Sequence, residues 1–376
     1  MEIKLLSLAS TVIRRSNREH PADAVLRSQL KIQGGLSQIQ AAQVSRAVFA
    51  YFRWLGWLDQ CQPMNDQIDH ARQLARKYSD NPLEFSDDEL KARAVPAWLG
   101  DQMELTPEWL RVLQSQPKVW LRARPGQSRA LAAKLGDCQT FGPGALSDAV
   151  EYRGNKDLFR TPEFHAGEFE LQDISSQAIG LICGPEPGQT VWDACAGEGG
   201  KTLHLSALMQ NKGLIWATDR AEWRLQRLKQ RAARAEVFNY RAKHWDGGAR
   251  LPTRTLFEMV LVDAPCSGIG TWQRNPHARW TTGLEDVREL AELQKRLLKH
   301  VARAVKPGGK LIYSACTLAR AETTEVAEAF GEQPGFERLP VLNPLNVEAR
   351  AAPEIYLLPE QFGGNGMYVA AWRRIA

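Results

Sequence analysis

From residue 172 onward, short apolar stretches alternate with amphipathic ones, and this alternation constrains the fold more than any other feature of the chain. Residues 190–193, 213–219, 257–263, 310–314 and 367–372 read as strands. Between them, Ala221, Leu225, Leu228 and Ala232 recur at helical spacing, as do Val287, Leu290, Leu297 and Val301. Strands that alternate with helices imply a mostly parallel sheet covered on both faces. Residues 171–376 are therefore expected to form a doubly wound, Rossmann-like α/β domain.

The front of the chain follows a different rule. Over residues 1–116, apolar side chains such as Leu36, Ile39, Val44, Val48, Phe52 and Leu55 recur every three or four positions, and Pro63, Pro82, Pro96 and Pro107 separate short helices. The stretch from Arg46 to Leu58 mixes arginines with aromatics on one helix. It fits either a packed core with a charged outer stripe or a surface that meets RNA bases. Between 117 and 170 the pattern becomes strand (118–124), helix (129–135) and strand (150–153), with a turn at Gly142-Pro143-Gly144. A small α+β module follows, and three domains suit a chain of 376 residues.

Composition narrows the class. Hydrophobic residues at 44% and charged residues at 24% are ordinary for a globular protein. No apolar run approaches the roughly 18 residues of a membrane span. The first twenty residues lack the apolar core and cleavage site of a secretory signal, so a cytoplasmic chain without membrane contact is expected. Six cysteines (61, 138, 183, 195, 266, 316) show no C-x-x-C spacing, which argues against a zinc ribbon, a disulfide scaffold or any metal. The net charge of +5 suits a nucleic-acid partner without requiring one.

The segment from Val191 to Thr202 runs from a strand through Cys195-Ala196-Gly197-Glu198-Gly199-Gly200-Lys201 into a helix. Glycines there let a ligand approach the backbone closely beyond the strand ends, where doubly wound sheets bind ligands. Asp219 ends the next strand, where a carboxylate can accept hydrogen bonds from a ribose; Asp246 follows a third strand-like stretch and Asp263 ends the fourth. A dinucleotide oxidoreductase needs G-x-G-x-x-G, which is absent. A P-loop NTPase is a closer rival, missing only its first glycine, where Cys195 stands. It gives no reason for Asp219, however, and the spaced acids favour a cofactor with a nucleoside and no phosphate chain.

Two cysteines sit just beyond strands: Cys266 in Asp263-Ala-Pro-Cys-Ser-Gly268 and Cys316 in Tyr313-Ser-Ala-Cys-Thr317. Adjacent strands lie about 5 Å apart, so both thiols can face one pocket. Carbon 5 of cytosine is a poor nucleophile, and methylating it needs a thiolate added at C6, an acid at the ring's polar edge and a base for the C5 proton. Free thiols are mostly protonated at neutral pH, so such a site must activate its cysteine. Spacing alone does not choose the attacking cysteine, since DNA cytosine methyltransferases use the one after proline.

Taken together, the chain resembles the Sun/RsmB-like (RsmB/NOP) RNA cytosine-5 methyltransferases. The resemblance spans residues 171–376 and rests on Leu171-Gln-Asp-Ile-Ser-Ser-Gln177, Asp193 to Thr202, Leu261 to Gly268 with Arg274-Asn-Pro276 and Trp280, Lys306-Pro-Gly-Gly309, Tyr313 to Cys316, and Gly363 to Val369. It implies S-adenosyl-L-methionine as cofactor, held by Cys195, Ala196, Gly197, Glu198, Gly199, Gly200, Lys201, Asp219, Asp246 and Asp263. It also implies Cys316 as nucleophile, Cys266 in product release and Asp263 in contact with the cytosine. The target is expected to be an unpaired or flipped cytosine of RNA, most naturally rRNA. Arg274 and Trp280, with Trp272, His277 and Arg279 nearby, are candidates for RNA contact. The helical front resembles an antiterminator-type RNA-binding domain, the middle a small RNA-binding module, and the whole a monomer.

Three positions depart from the family pattern: Gly197-Glu198 stands where alanine-proline is usual, Ala315 replaces a threonine, and Asn365 replaces an aspartate. A non-catalytic RNA-binding or ribosome-assembly factor with the same fold is the rival from another class, and intact Asp263, Cys266 and Cys316 argue against it.

Overall fold

The computed structural model describes every residue except Pro143, Val347 and Ala376, so the centre of the expected Gly142–Gly144 turn lies outside the described residues. Two compact units emerge: residues 1–117 with 268–287, and residues 118–267 with 288–376. The segment 268–287, placed with the carboxy-terminal domain on sequence, belongs to the first unit.

The first unit is helical, built on Ile3–Arg15, Ala22–Gln33, Gln38–Arg53, Met64–Asp80, Asp87–Arg93 and Pro107–Gln114. Ser37 starts the third of these with a reciprocal cap: its hydroxyl accepts the Gln40 N–H at 3.2 Å and the Gln40 side chain accepts the Ser37 N–H at 3.0 Å. Val44, Val48, Tyr51, Phe52 and Trp54 on and just past this helix are buried. Trp54 packs against Trp57 at 4.8 Å and Phe85 at 5.0 Å between ring centroids. The arginine–aromatic stretch is thus a packed core; of its two arginines, Arg46 is exposed and Arg53 is buried. Ile39 is 71% exposed, because it occupies the first turn, before the helix reaches the core.

Segment 268–287 completes this core. Trp272 and Arg279 are fully buried, and His277 is nearly so. Arg279 donates to the main-chain carbonyls of Arg53 (3.3 Å), Ala94 (2.8 Å) and Leu113 (3.1 Å). Each carbonyl lies at the carboxy-terminal end of a different helix, where unpaired C=O groups and the helix dipole favour a cation.

The second unit contains two sheets. Strands β1 (Val119–Ala123), β2 (Cys138–Thr140), β3 (Ala149–Tyr152) and β4 (Phe169–Leu171) form an antiparallel sheet in the order β2-β3-β1-β4. Leu121, Val150 and Phe169 meet Leu131 and Leu135 of the helix Ser128–Leu135 in its core. The larger sheet comprises β5 (Thr190–Asp193), β6 (Leu214–Asp219), β7 (Tyr240–His244), β8 (Phe257–Asp263), β9 (Val305–Ala315), β10 (Phe336–Leu339), β11 (Glu354–Leu357) and β12 (Met367–Arg374). From β5, parallel neighbours β6 and β7 run outward on one side, and β8 and β9 on the other. Strand β12 is antiparallel to β9, and β10 and β11 share its far edge. This is the Rossmann-like methyltransferase architecture, preceded by a helical region. Strand order reverses between β5 and β8, so their carboxyl ends open a crevice at the switch point.

Candidate active site

The crevice is a pocket of about 370 Å³ lined by the glycine turn, Asp219, Asp246, Asp263, Cys266 and Cys316. Every residue assigned on sequence to the cofactor lines it except Gly199, which lies underneath. At φ +86°, Gly199 adopts a conformation that L side chains avoid, and a Cβ there would stand 2.6 Å from Leu228 Cγ. The turn therefore packs tightly on the helix Glu222–Arg234.

Asp219 organises one wall. Its carboxylate accepts the Gly197 N–H at 3.0 Å and the Ala221 N–H at 2.8 Å. Asp246 sits at the exposed rim, accepting the Gly248 N–H at 2.8 Å. Glu198 turns outward to Arg227 at 3.1 Å, which offsets the charge that its departure from the family pattern introduces. Burial pushes the Cys195 thiol pKa up, so this side chain stays neutral.

The opposite wall carries the reactive groups. Lys201 Nζ donates to Asp263 Oδ2 at 2.6 Å, and Ser314 Oγ donates to Asp263 Oδ1 at 2.8 Å. Burial pulls the Lys201 pKa down, but Asp263, by charge and by hydrogen bond, outweighs it and the net shift is upward. The ammonium stays charged, so the sequence-assigned cofactor residue Lys201 is also the partner of the carboxylate. Parallel pairing of β8 and β9 sets Asp263 beside Ser314 and leaves the two following turns adjacent. Cys266 Sγ and Cys316 Sγ are 3.2 Å apart, both partly exposed to the pocket. Two thiols, a carboxylate and an ammonium thus line one side of the crevice.

The residues fit an S-adenosyl nucleoside. Asp219 and Asp246 can accept ribose hydroxyls, the glycine turn presents backbone, and buried Asp193 Oδ1 has no hydrogen-bond partner among the described residues. Among the described residues, no group of three or more His, Cys, Asp or Glu could hold a metal ion. No helix among them is long and apolar enough to cross a membrane.

Of the RNA candidates, Arg274 is exposed, and Trp280 is half-buried with its indole N–H donated to the Phe52 carbonyl at 2.6 Å. Trp272, His277 and Arg279 face the helical core instead, because a neutral-looking aromatic–arginine mix serves packing as well as stacking. Sequence reasoning missed Gln294 and Glu322, both fully buried behind the cysteine turns. Gln294 interrupts the apolar stripe of the helix Leu284–Ala302 at an inward position, a legible sign of a buried polar role.

The family model described as 16S rRNA methyltransferase RsmB/F matches residues 181–373. The probable ribosomal RNA small subunit methyltransferase B of Bacillus subtilis (strain 168) is 37% identical over 224 residues, 56% of this chain and 49% of that protein. The ribosomal RNA small subunit methyltransferase F of Vibrio cholerae is 34% identical over 231 residues, 58% of this chain and 48% of that protein. The chain thus spans about half the length of these two relatives. Methyltransferase B of Cronobacter sakazakii is 30% identical over 314 residues, covering 80% of this chain and 70% of its own. A methyltransferase homolog from Pyrococcus horikoshii superposes with a TM-score of 0.61 at 27% identity, over 71% of this chain and 90% of its own. The crystal structure of PH0851 shares the fold over 100% of this chain and 99% of its own, with a TM-score of 0.81 at 20% identity.

Proposed function

We propose that this chain, which belongs to the 16S rRNA methyltransferase RsmB/F family, methylates carbon 5 of a cytosine in rRNA through a covalent adduct on Cys316. The observation that carries the reading is the pair of thiols 3.2 Å apart beside the Asp263–Lys201 ion pair, in one pocket with the glycine turn.

In this reading the Cys316 thiolate forms a bond to C6, and the electron pair of the C5–C6 double bond moves toward C5. Asp263 accepts a hydrogen bond from the polar edge of the ring, and Lys201 balances its charge. The turn 195–201, Asp219 and Asp246 would hold S-adenosyl-L-methionine, which would supply an electrophilic methyl group to C5 and leave as S-adenosylhomocysteine. A base then takes the C5 proton, the C5–C6 double bond re-forms, and the C6–sulfur bond breaks to return the thiolate. Cys266, against Cys316, assists that release. Arg274, exposed in the segment after the Cys266 turn, is suited to an RNA phosphate.

Single variants incubated with rRNA and cofactor test the roles. Cys316→Ala should abolish both methylation and adduct, whereas Cys266→Ala should accumulate a protein–RNA adduct that survives denaturation. An adduct in Cys316→Ala and none in Cys266→Ala would reverse the assignment. Bisulfite sequencing of RNA from cells with and without the protein reads the base and the position. No methylation of any RNA class would favour a non-catalytic RNA-binding factor, and thermal stabilisation by ATP but not S-adenosyl-L-methionine would favour an NTPase.

A further inference from the structure

Glu322 ends a short 3₁₀ turn (Arg320–Glu322) downstream of Cys316 and has no exposed surface. Its Oε1 accepts the Ser267 N–H at 2.9 Å and the Gln294 side-chain amide at 3.0 Å. Its Oε2 accepts the Thr317 hydroxyl at 3.1 Å and the Ser267 hydroxyl. Ser267 directly follows Cys266, and Thr317 directly follows Cys316. One carboxylate therefore holds the turns of both cysteines. Gln294 reaches the other side of the first turn, donating to the Pro265 carbonyl at 2.9 Å. Tyr313 closes the cluster, its hydroxyl 2.6 Å from the Glu322 carbonyl and 2.9 Å from Gln294 Oε1.

The location of this carboxylate calls for an explanation. Among the described residues no lysine or arginine pairs with Glu322, and burial pushes its pKa up, an upward shift that the Ser267, Gln294 and Thr317 hydrogen bonds offset only in part. A buried carboxylate without a cation is costly and persists only where several donors converge. Here every side-chain carboxylate contact comes from the two cysteine turns or from the glutamine that grips one of them. Nor does Glu322 line the cofactor pocket.

We propose that Glu322 is a positioning residue that sets the separation of Cys266 and Cys316, so that both thiols reach the same pyrimidine in successive steps. The functional half of this statement rests on the two-cysteine reading above; the geometric half does not, and it can be measured without RNA. Diamide, a diazene oxidant, joins two neighbouring thiols: each loses a proton, an S–S bond forms, and the two electrons and two protons reduce the N=N bond to a hydrazine. The rate of Cys266–Cys316 disulfide formation, followed by peptide mass mapping, reports how closely the thiols are held.

Glutamine at position 322 keeps one acceptor oxygen for the two amide donors and offers its NH₂ to the two hydroxyls, which can rotate to accept. Wild type and Glu322→Gln should therefore cross-link at rates within about twofold, and Glu322→Ala roughly tenfold more slowly, since it leaves the Ser267, Thr317 and Gln294 donors without their shared acceptor. On rRNA, Glu322→Ala should lose kcat with little change in KM, and Glu322→Gln should restore it. Retained thermal stabilisation by S-adenosyl-L-methionine identifies a folded variant. If Glu322→Ala does not fold, Thr317→Val, which removes one hydroxyl at constant volume, takes its place and should also cross-link more slowly. Cross-linking at the wild-type rate in the folded alanine variant, or in Thr317→Val when it stands in, would overturn the proposal. Slowed cross-linking in a protein whose wild type methylates no RNA would uphold the positioning role and sink the cytosine reading.

Discussion

Asp193 ends β5, and its side chain is shut away from water with one oxygen on the Thr202 hydroxyl at 2.7 Å. Burial is the main force that pushes its pKa up to about 7; the Thr202 hydrogen bond opposes this and the nearby Asp263 adds to it. In the unfolded chain the same group titrates near 3.9. The native state therefore binds more protons than the unfolded state between these values. The stability contributed by protonated Asp193 is full below about pH 4 and is lost as pH rises toward 7, by up to roughly 4 kcal/mol. Asp193→Asn keeps an acceptor for Thr202 and cannot ionise. Urea midpoints measured from pH 4 to 8 should fall with pH more steeply in wild type than in Asp193→Asn, and parallel curves would refute the account. His204, buried and neutral with its pKa held well below the ordinary value by burial, contributes a trend of the opposite sign. It is common to both proteins and cancels in the comparison.

At the scale of elements, the informative contact is Arg279 at three helix ends. Replacing it with methionine keeps the apolar stem and leaves three buried carbonyls without their donor. At about 1–2 kcal/mol each, that predicts a loss of roughly 3–6 kcal/mol. Arg279→Lys should recover little, because an ammonium on a shorter reach cannot fork between three directions. Chemical denaturation followed by tryptophan fluorescence checks both, and a midpoint unchanged in Arg279→Met would show that water replaces the guanidinium. This contact was invisible in sequence, where Arg279 read as a cation for RNA, because nothing local announces which distant carbonyls it meets. The parallel strands were legible for the opposite reason. Residues 190–193 and 257–263 are buried on both faces, so their apolar runs mark them with the bounds observed. Strand β7, Tyr-Arg-Ala-Lys-His at the sheet edge, is mostly exposed and carries only a faint pattern. The three-residue β2 and β4 are too short to carry a period at all. Within the site, the strand-end cysteines and acids could be read because strand ends are local features. Glu322 could not, since its meaning lies in Ser267 and Gln294, far off in the chain.

At the scale of the whole molecule, the chain does not divide at a single point. The helical unit takes residues 1–117 and then, after the turn that carries Cys266, residues 268–287. Those twenty residues bring Trp272 to within 6.3 Å of Trp98, His277 to 4.6 Å from Phe52 (ring centroids), and Arg279 to its three carbonyls. A fragment ending at residue 117 would thus lose a fully buried tryptophan and arginine from its centre, a loss comparable to a small domain's whole margin of stability. Residues 1–117 expressed alone should show helical far-ultraviolet dichroism but weak near-ultraviolet tryptophan signal and no cooperative melt, the behaviour of a chain that keeps its helices and loses its packing. Adding a synthetic peptide of residues 268–287 should restore both signals, and the same peptide with Arg279→Met should not. A cooperative melt from the fragment alone would show that the inserted segment is dispensable. If the peptide does rescue it, the helical unit is built from both sides of the sheet domain's chain, and a substitution between 268 and 287 would be felt first in the helices.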